Sequence, residues 1–298
     1  MCLRKTLDQL NCFSILLNSN HLKTRYFKTC YIVLMNANNS RREKIKYFSQ
    51  SIKMFSFLFC LILLQTIVVD AKTMELHSST RVIAQSCLDY LKKGYKSDGF
   101  YKVRDFKANR IITVYCDLTS ESGSAWTLVM SFAFKNRQVE QFKKKGLQED
   151  APVNENSPNW EIYRMSHYQM SYLKSQSTHW RATCSYPKNK VDYRDYVRAK
   201  FSDFDVMTFA GYGICKKVEF VNIRGHQCAQ CTSKWWQVLN KYMAHIDSWF
   251  SACQLDARTG SIIYEDNFGY YSHVNKKFRC TASRLSTTNW WFGGYMTI

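Results

Sequence analysis

Cysteine placement constrains the fold of this chain more than any other sequence feature. Four of the twelve cysteines lie at or before Cys60, and the other eight follow Asp70. These eight are Cys87, Cys116, Cys184, Cys215, Cys228, Cys231, Cys253 and Cys280. An even number of cysteines in an oxidising compartment predicts four disulfides, although many pairings are open to eight cysteines. Whether these cysteines form disulfides therefore depends on the cellular compartment in which the domain folds.

An uncharged segment, residues 55–69, indicates that compartment. The segment is short for a bilayer-spanning helix, which needs about 20 apolar residues, and suits the apolar region of a signal peptide, about 7–15 residues. Small residues follow in Val69-Asp70-Ala71. We therefore expect a signal peptide at 54–71, cleaved after Ala71, and a secreted extracellular protein. The alternative is a signal-anchor, which would make a single-pass type II membrane protein.

Residues 1–53 form a basic leader ahead of this segment. Met54 abuts the apolar run, so translation starting there would leave the leader untranslated; otherwise the leader is part of the anchored form. The formal charge of +19 covers the whole chain, with 42 Lys and Arg against 23 Asp and Glu. Residues 72–298 carry 32 basic and 20 acidic residues, a charge of +12. We expect a short polar linker at 72–85 and one domain at 86–298.

The pattern within that domain predicts an α+β fold with mostly antiparallel sheets and short helices. Residues 86–93 are expected to form a helix ended by Gly94, and 100–103, 111–116 and 126–134 to form strands. Residues 143–158 are polar and predict a surface loop. Helical spacing of apolar residues predicts helices over 160–173 and 235–250. Residues 218–223 and 261–264 are predicted to be strands.

The opening of the domain resembles a fibrinogen C-terminal-like domain. The matching positions are Ser86-Cys87, Asp98-Gly99-Phe100-Tyr101, Tyr115-Cys116-Asp117 and Trp126-Thr127, all within residues 86–135. The family's late glycine-tryptophan motif is echoed, in another order, by residues 290–294. The resemblance implies a disulfide between Cys87 and Cys116. Its loop of about 30 residues would stabilise the fold by about 3–4 kcal/mol in the chain-entropy treatment.

Later segments resemble a divergent form of this family known from secreted cnidarian proteins, some of them in the organic matrix of coral skeletons. These segments are residues 178–184, 196–205 and 265–275. The resemblance implies a role in extracellular matrix and biomineralisation. The calcium loop of the family, an Asp-x-Asp run before Asn-Cys-Ala, is not found in the sequence. Its calcium and acetyl-group ligands are therefore assigned to no residue.

Cys228 and Cys231 form a CxxC motif, which is found in redox enzymes, zinc sites and structural disulfides. A thioredoxin-type site needs the motif at a helix N-terminus after a strand, and no such pattern surrounds it. A zinc site could recruit His226 or His245, but the usual second CxxC is missing. We expect the two cysteines to belong to separate structural disulfides. A CxxC redox enzyme remains a third hypothesis of function.

Calcium is a further metal for which the sequence offers candidates, although we expect no required cofactor. Asp203-Phe204-Asp205 and a group of Asp256, Glu265, Asp266 and Asn267 supply oxygen ligands, although neither stretch has EF-hand spacing. Asp266 and Asn267, adjacent in a predicted loop, are the preferred pair. The alternative interpretation of all these residues is that they form solvated turns.

Basic and aromatic residues supply the candidate binding groups. Lysine runs occur at 92–93, 143–145, 216–217 and 276–277, and could bind sulfated glycans, acidic matrix polymers or anionic surfaces. The alternative is a set of scattered, solvated lysines. Aromatic pairs occur at 235–236, 270–271 and 290–291 and could stack on sugars, but most aromatic residues in such a chain must lie in the core.

The sequence contains none of three common catalytic motifs, namely G-x-S-x-G, H-E-x-x-H and the P-loop. Nucleic acid is excluded as a partner by the lack of any recognisable binding motif in a disulfide-rich extracellular chain. We therefore expect a non-enzymatic, lectin-like recognition or matrix protein that binds extracellular glycans or acidic matrix polymers. The alternative is a membrane-tethered cell-surface receptor held by residues 55–69.

Overall fold

A computed structural model describes residues 84–249 and 252–296. The chain divides into two units, and these residues all belong to the second, Val82–Ile298. The predicted leader (1–53), signal peptide (54–71) and nearly all of the linker (72–85) lie outside the described residues. Within the described residues, no helix is long and apolar enough to cross a membrane.

Strands dominate the described domain, and its helices are short. The strands are β1 Gly99–Asp105, β2 Arg110–Asp117, β3 Ser124–Ala133, β4 Ile162–Arg164, β5 His179–Cys184, β6 Tyr196–Lys200, β7 Gly211–Ile223, β8 His226–Val238, β9 Tyr242–Asp247, β10 Asp266–Asn267 and β11 Thr287–Tyr295. The α-helices are α1 Cys87–Lys92, α2 Glu140–Lys143, α3 His167–Lys174 and α4 Tyr186–Asn189, with a 3₁₀ turn at Phe134–Asn136. The expected α+β class, mostly antiparallel, is confirmed.

All eleven strands join one sheet in the order β1-β2-β3-β11-β5-β6-β7-β8-β9-β10, with β4 on the side of β3. Each named strand pair is antiparallel. The last strand, β11, is inserted between β3 and β5, so the sheet is completed only when the end of the domain returns to its middle. Strands β3 and β5 are buried along their whole length.

Tryptophan rings fill the core on both sides of β11. Trp180, Trp235 and Trp290 lie within 5.4–6.4 Å of one another, ring centre to ring centre, and all three are fully buried. Trp291 is also fully buried and packs against Tyr186 at 4.6 Å. Trp290 and Trp291 are consecutive on β11, so strand alternation turns their rings to opposite faces of the sheet. Beside them the register shifts by one residue, which leaves Val129 of β3 as a bulge.

The opening of the domain folds as its sequence predicts. Helix α1 begins after Ser86, whose hydroxyl accepts the Asp89 N–H, and it ends at Lys92. Gly94 has φ +86°, the left-handed conformation that glycine adopts readily after a helix. Strands β1, β2 and β3 contain the predicted 100–103, 111–116 and most of 126–134.

The predicted helix over 160–173 is wrong in its first half. Residues 162–164 form β4, which pairs with β3 through Phe132, Ser131 and Met130. Helix α3 begins only after Ser166, because the Ser166 hydroxyl and the Gln169 side chain form a capping box. The helical spacing of apolar residues therefore continued through the end of β4 and the start of α3, and this made two elements look like one helix.

The predicted helix over 235–250 is wrong as well. Its first residues complete β8, a turn follows at 239–241, and β9 begins at Tyr242. Asn240 has φ +55°, a left-handed turn conformation that asparagine tolerates. Pairing with β7 on one side and β10 on the other outweighs the helical spacing of this segment. The predicted strand 218–223 is the end of the longer β7.

Two smaller predictions differ from the structure. Residues 261–264 form turns, in which the Glu265 carboxylate accepts the Ile262 N–H and Tyr264 has φ +56°. The strand lies just beyond, at β10. Residues 144–158 form no helix or named strand, as expected, but they are not all at the surface, since Leu147 is fully buried. Buried Arg164 holds this loop by donating to three of its carbonyls, at Lys145, Gly146 and Glu149, and to the Gln141 carbonyl of α2.

All eight cysteines of the domain are paired in four disulfides. The bonds join Cys87–Cys116, Cys184–Cys280, Cys215–Cys253 and Cys228–Cys231. The first is the pair that the family resemblance implies. The CxxC cysteines bond to each other, so their expected assignment to separate disulfides is wrong.

A backbone bend in β8 explains the CxxC pairing. Three residues of extended strand span about 10 Å, yet the Cα atoms of Cys228 and Cys231 are 6.1 Å apart. Gln230 lies between them with φ +48°, which shortens the strand locally. The motif thus lies within an antiparallel hairpin and does not precede a helix, unlike the context that a thioredoxin-type site requires.

Candidate functional site

Three rings form a row across strands β7, β8 and β9. Tyr212 is paired with Trp236, and Trp236 with His245, in the register of the sheet. The Tyr212 and Trp236 ring centres are 6.2 Å apart, and the Trp236 and His245 rings are stacked at 5.8 Å. Alternation along β8 turns Trp236 to this face and Trp235 to the core. Tyr212 is 66% exposed, so the row reaches solvent at β7.

Tyr270 adds a fourth ring from the loop after β10. It stacks on His245 at 5.3 Å and meets Tyr242 edge-on at 4.8 Å. Gly269 makes this approach feasible, because a Cβ there would lie 2.3 Å from the Ala244 carbonyl oxygen. The loop therefore packs directly on β9 and holds Tyr270 above the sheet. Tyr242 also lies 6.0 Å from Tyr212, which closes the ring cluster.

Three lysines surround these rings. Lys241 Nζ lies 5.0 Å from the Tyr242 ring centre and 5.9 Å from that of Tyr212. Lys143 Nζ is 5.8 Å from the Tyr270 ring, and Lys234 Nζ is 5.6 Å from the Trp236 ring. These distances are within the range of cation–π attraction. We call Tyr212, Trp236, Tyr242, His245 and Tyr270 with Lys143, Lys234 and Lys241 the aromatic–lysine surface.

Beneath the surface, His245 and Asp266 form a buried pair. His245 Nε2 is 3.4 Å from Asp266 Oδ1, and His245 Nδ1 is 2.7 Å from the Met243 carbonyl. Burial lowers the pKa of His245 to about 4. Burial, with repulsion from Asp247 and Glu265, raises the pKa of Asp266 to about 9. Both groups are therefore uncharged near pH 7, with the Asp266 hydroxyl facing the free ring nitrogen of His245.

This arrangement removes one negative charge from beneath the surface. Asp266 would carry the negative charge closest to His245, but its proton removes that charge at neutral pH. Lys143, Lys234 and Lys241 then supply positive charge around the rings, although Asp247 lies close enough to Lys234 to interact with it. Tyr212 is exposed and Tyr242 and Tyr270 are half-buried, and a face that combines such rings with lysines suits a ligand that has both a flat apolar side and negative charge.

The predicted calcium residues Asp266 and Asn267 are adjacent on β10, but their side chains have other partners. A protonated Asp266 is a poor calcium ligand, since calcium prefers ionised carboxylates. The Asn267 amide donates to the Ile246 carbonyl and to the Ser248 hydroxyl. In the part of the chain that the structure describes, no group of three or more His, Cys, Asp or Glu side chains could hold a metal ion.

The other carboxylates considered for calcium are engaged in separate places. Asp205 accepts from Lys174 and from the Met207 N–H. Asp203 pairs with Lys217 at 3.5 Å, and Asp256 takes a two-point ion pair from Arg258. Glu265 pairs with buried Arg224.

Of the aromatic pairs and lysine runs singled out in the sequence, the structure brings together only single members. Trp236, Tyr270 and Lys143 meet at the aromatic–lysine surface, where the Trp236 ring is buried beneath the tyrosines, whereas Trp235, Tyr271, Trp290 and Trp291 are core residues. Tyr212, Tyr242, His245 and Lys241 were not candidates for glycan binding in the sequence. Tyr242, His245 and Lys241 fall within the wrongly predicted helix over 235–250, and Tyr212 lies outside every element that the sequence predicted.

A second feature absent from the sequence predictions is a buried ion network. Arg181 is fully buried between the Trp126 and Trp291 rings, with its guanidinium carbon 4.5 and 5.0 Å from their centres. It pairs with Asp117 and Glu121. Burial opposes ionisation of Asp117, but the charge and hydrogen bond of Arg181 outweigh it and lower the pKa of Asp117. The aspartate of the Tyr-Cys-Asp motif thus binds the arginine of segment 178–184.

Comparisons with known proteins add little to this geometry. No family model matches the chain, and no curated protein matches it. Among solved structures, the chain is similar to the lamprey fibrin D-dimer in complex with the peptide ligand Gly-His-Arg-Pro-amide. The sequence identity is 12% and the TM-score 0.28, over 66% of this chain and 59% of that one. The chain thus spans less than two thirds of that protein, and the class defined here is a disulfide-rich α+β domain.

Proposed function

We propose that this protein is a secreted, non-enzymatic recognition protein that binds acidic glycans or acidic matrix polymers through the aromatic–lysine surface. The observation that carries the proposal is the meeting of three accessible tyrosines, Tyr212, Tyr242 and Tyr270, with three lysines on one face, above the buried Trp236 ring. Tyrosine rings stack on the apolar faces of sugar rings, and lysines attract sulfate and carboxylate groups. The uncharged His245–Asp266 pair supports anion binding from below.

Four disulfides support the extracellular location. Disulfides form and persist in oxidising compartments and are rare in the cytosol. The signal peptide expected at 54–71, cleaved after Ala71, would supply the route to such a compartment. Secretion, and not retention through residues 55–69, is the form we propose.

For the fold family of residues 86–298, we propose a fibrinogen C-terminal-like domain. Its support is the set of opening motifs, together with the Cys87–Cys116 bond and the buried Asp117–Arg181 pair that those motifs build. The finer proposal, membership of a skeletal organic matrix of the cnidarian type, rests on the resemblance of three later segments. Measuring whether the protein is retained on mineral coated with acidic polymer would test this skeletal-matrix proposal.

A binding panel tests the general proposal. The full chain with its disulfides formed is applied to immobilised heparin, hyaluronan and neutral dextran, at low and at physiological salt, with and without EDTA. We expect binding to the two anionic polymers that weakens as salt rises, because exposed charges are screened. Dextran binding should be much weaker, and EDTA should have no effect. Failure to bind either anionic polymer, or equal binding to dextran, would contradict the proposal.

A further inference from the structure

A cavity of about 490 Å³ opens at the ends of β5, β6 and β11, among residues other than those of the aromatic–lysine surface. His179 is paired with Lys200 on β6 and with Gly293 on β11, so the three strand ends are adjacent. Gly294 leaves room for Thr178 at the rim, since a Cβ on Gly294 would lie 2.3 Å from the Thr178 hydroxyl oxygen. Cavities of about 300–1,000 Å³ are the usual size for small-molecule sites.

The cavity is lined mostly by apolar side chains, with a few polar groups among them. Phe201, Tyr295 and Met296 supply the apolar part, and the Phe201 ring is fixed edge-on against Phe292 at 5.0 Å. The hydroxyls of Thr178 and Ser202 line the rim. Such a lining, mostly apolar with a few polar groups, favours a ligand with one apolar ring and one polar end.

The charged groups in and next to the cavity determine the sign of that polar end. Glu219 does not line the cavity but contacts His179 and Lys200, which do. Glu219 is mostly buried and already accepts from Arg198 Nε at 2.9 Å, while His179 Nε2 lies 3.3 Å away. Burial lowers the pKa of His179, and its Nδ1 is 2.7 Å from the Thr178 hydroxyl. Glu219 therefore has little capacity left for a cationic ligand, and His179 is neutral with both nitrogens engaged.

Lys200 is the group with unused hydrogen-bonding capacity. Its side chain is 49% exposed, and within the described residues its one ion pair is a long contact of 3.8 Å to Glu219. An ammonium group has three donors. An anion entering the cavity would meet Lys200 Nζ and the nearby hydroxyls, with its apolar part against Phe201 and Tyr295.

We propose that this cavity binds a small carboxylate carried on a single apolar ring. Lys200 Nζ pairs with the carboxylate, and the Phe201 and Tyr295 rings contact the apolar ring. The proposal is independent of glycan binding, because it uses different residues and a different ligand.

Calorimetric titration of the full chain with phenylacetate tests the proposal. The matched ligands are phenylacetamide, which lacks the charge, and phenethylamine, which reverses it. A ligand of this size is expected to bind with a Kd of about 1 mM. Phenylacetamide should bind more weakly, and phenethylamine should not bind. Absence of saturable phenylacetate binding, or equal binding of phenethylamine, would overturn the proposal.

Three variants locate the site. Lys200→Met should weaken phenylacetate binding about fivefold, the usual effect of losing a partly exposed ion pair. Lys217→Met is the matched control, because Lys217 is 52% exposed and also pairs with one carboxylate, Asp203, at 3.5 Å. Ser202→Trp places a ring in the cavity and should abolish binding. Heparin binding and the unfolding temperature should be unchanged in all three, and phenylacetate binding that survives Ser202→Trp would place its site elsewhere.

Discussion

Single buried residues carry much of the electrostatic character of this protein. His245 and Asp266 face each other without charge, whereas Arg181 and Asp117 face each other with charge. The difference follows from their partners: Arg181 remains charged and holds the charge of Asp117, while Asp266 has two further carboxylates near it, Asp247 and Glu265. Burial alone disfavours charge, and a neighbouring charge of opposite sign reverses that effect.

The Asp266 pKa predicts how stability changes with pH. Between pH 6.5 and about 9 the folded chain keeps the Asp266 proton and the unfolded chain does not, so raising the pH disfavours folding. The loss is up to about 1.4 kcal/mol per pH unit. Between about 4 and 6.5 His245 acts in the opposite sense, because the unfolded chain binds its proton and the folded chain does not. The two slopes then largely cancel.

Chemical denaturation at several pH values measures this effect. Asp266→Asn keeps a donor toward His245 and should flatten the profile above pH 6.5. Asp256→Asn is the control: Asp256 is exposed, and hydrogen bonds from Arg258 lower its pKa to about 2, outside the window. A stability that stays constant from pH 6.5 to 9 in the unaltered chain would show that Asp266 is ionised when folded.

The buried arginine predicts a large mutational effect. Arg181→Met leaves buried Asp117 without its cation and leaves Glu121 with Arg198 as its remaining cation, at 2.8 Å, and we expect it to destabilise the fold by about 3–5 kcal/mol. The exposed pair offers a control, since Arg258→Met removes a cation that is 57% exposed and should change stability little. Thermal and denaturant unfolding of both variants measure the difference. Equal stability of the two variants would show that the network contributes nothing.

At the scale of elements, the four disulfides should differ in how much they stabilise the domain. In the chain-entropy treatment, closing the loop of Cys184–Cys280, with a sequence separation of 96, contributes about 5 kcal/mol. The Cys228–Cys231 loop, with a separation of 3, contributes about 2 kcal/mol. The double Ser variant of the first pair should therefore lose more stability than that of the second. Denaturant midpoints of the two double variants provide the test, and the reverse order would contradict it.

Some elements could be predicted from sequence because their signals are local. Ser86 and Gly94 mark the ends of α1, and a run of β-branched residues, 111–114, marks β2. The predicted helices over 160–173 and 235–250 failed because spacing of apolar residues near a helical period also fits strands that bury both faces. The missed signals were the Ser166–Gln169 capping box and the turn at Asn240.

At the scale of the whole molecule, the position of β11 sets the architecture. Residues 287–295 return to pair with β3 and β5, and this completes the core around Trp180, Trp235 and Trp290. Sequence separation hides such pairings. For the same reason the candidate site was only partly foreseen: Trp236 and Tyr270 were noted in their sequence pairs, but their contact with His245 depends on strand register and on the close approach at Gly269.

Glycan binding is the central claim, and one comparison tests it most directly. The affinity for heparin is measured for the unaltered chain, for Tyr212→Ala with Lys241→Met, and for the control Tyr264→Ala with Lys188→Met. Tyr212 and Tyr264 are 66% and 72% exposed, so the two tyrosine changes are matched in exposure. We predict that the first variant loses about tenfold in affinity, from one stacking ring and one charge, and that the control is unchanged. Equal affinity of both variants would show that heparin binds elsewhere and would contradict the assignment of this surface.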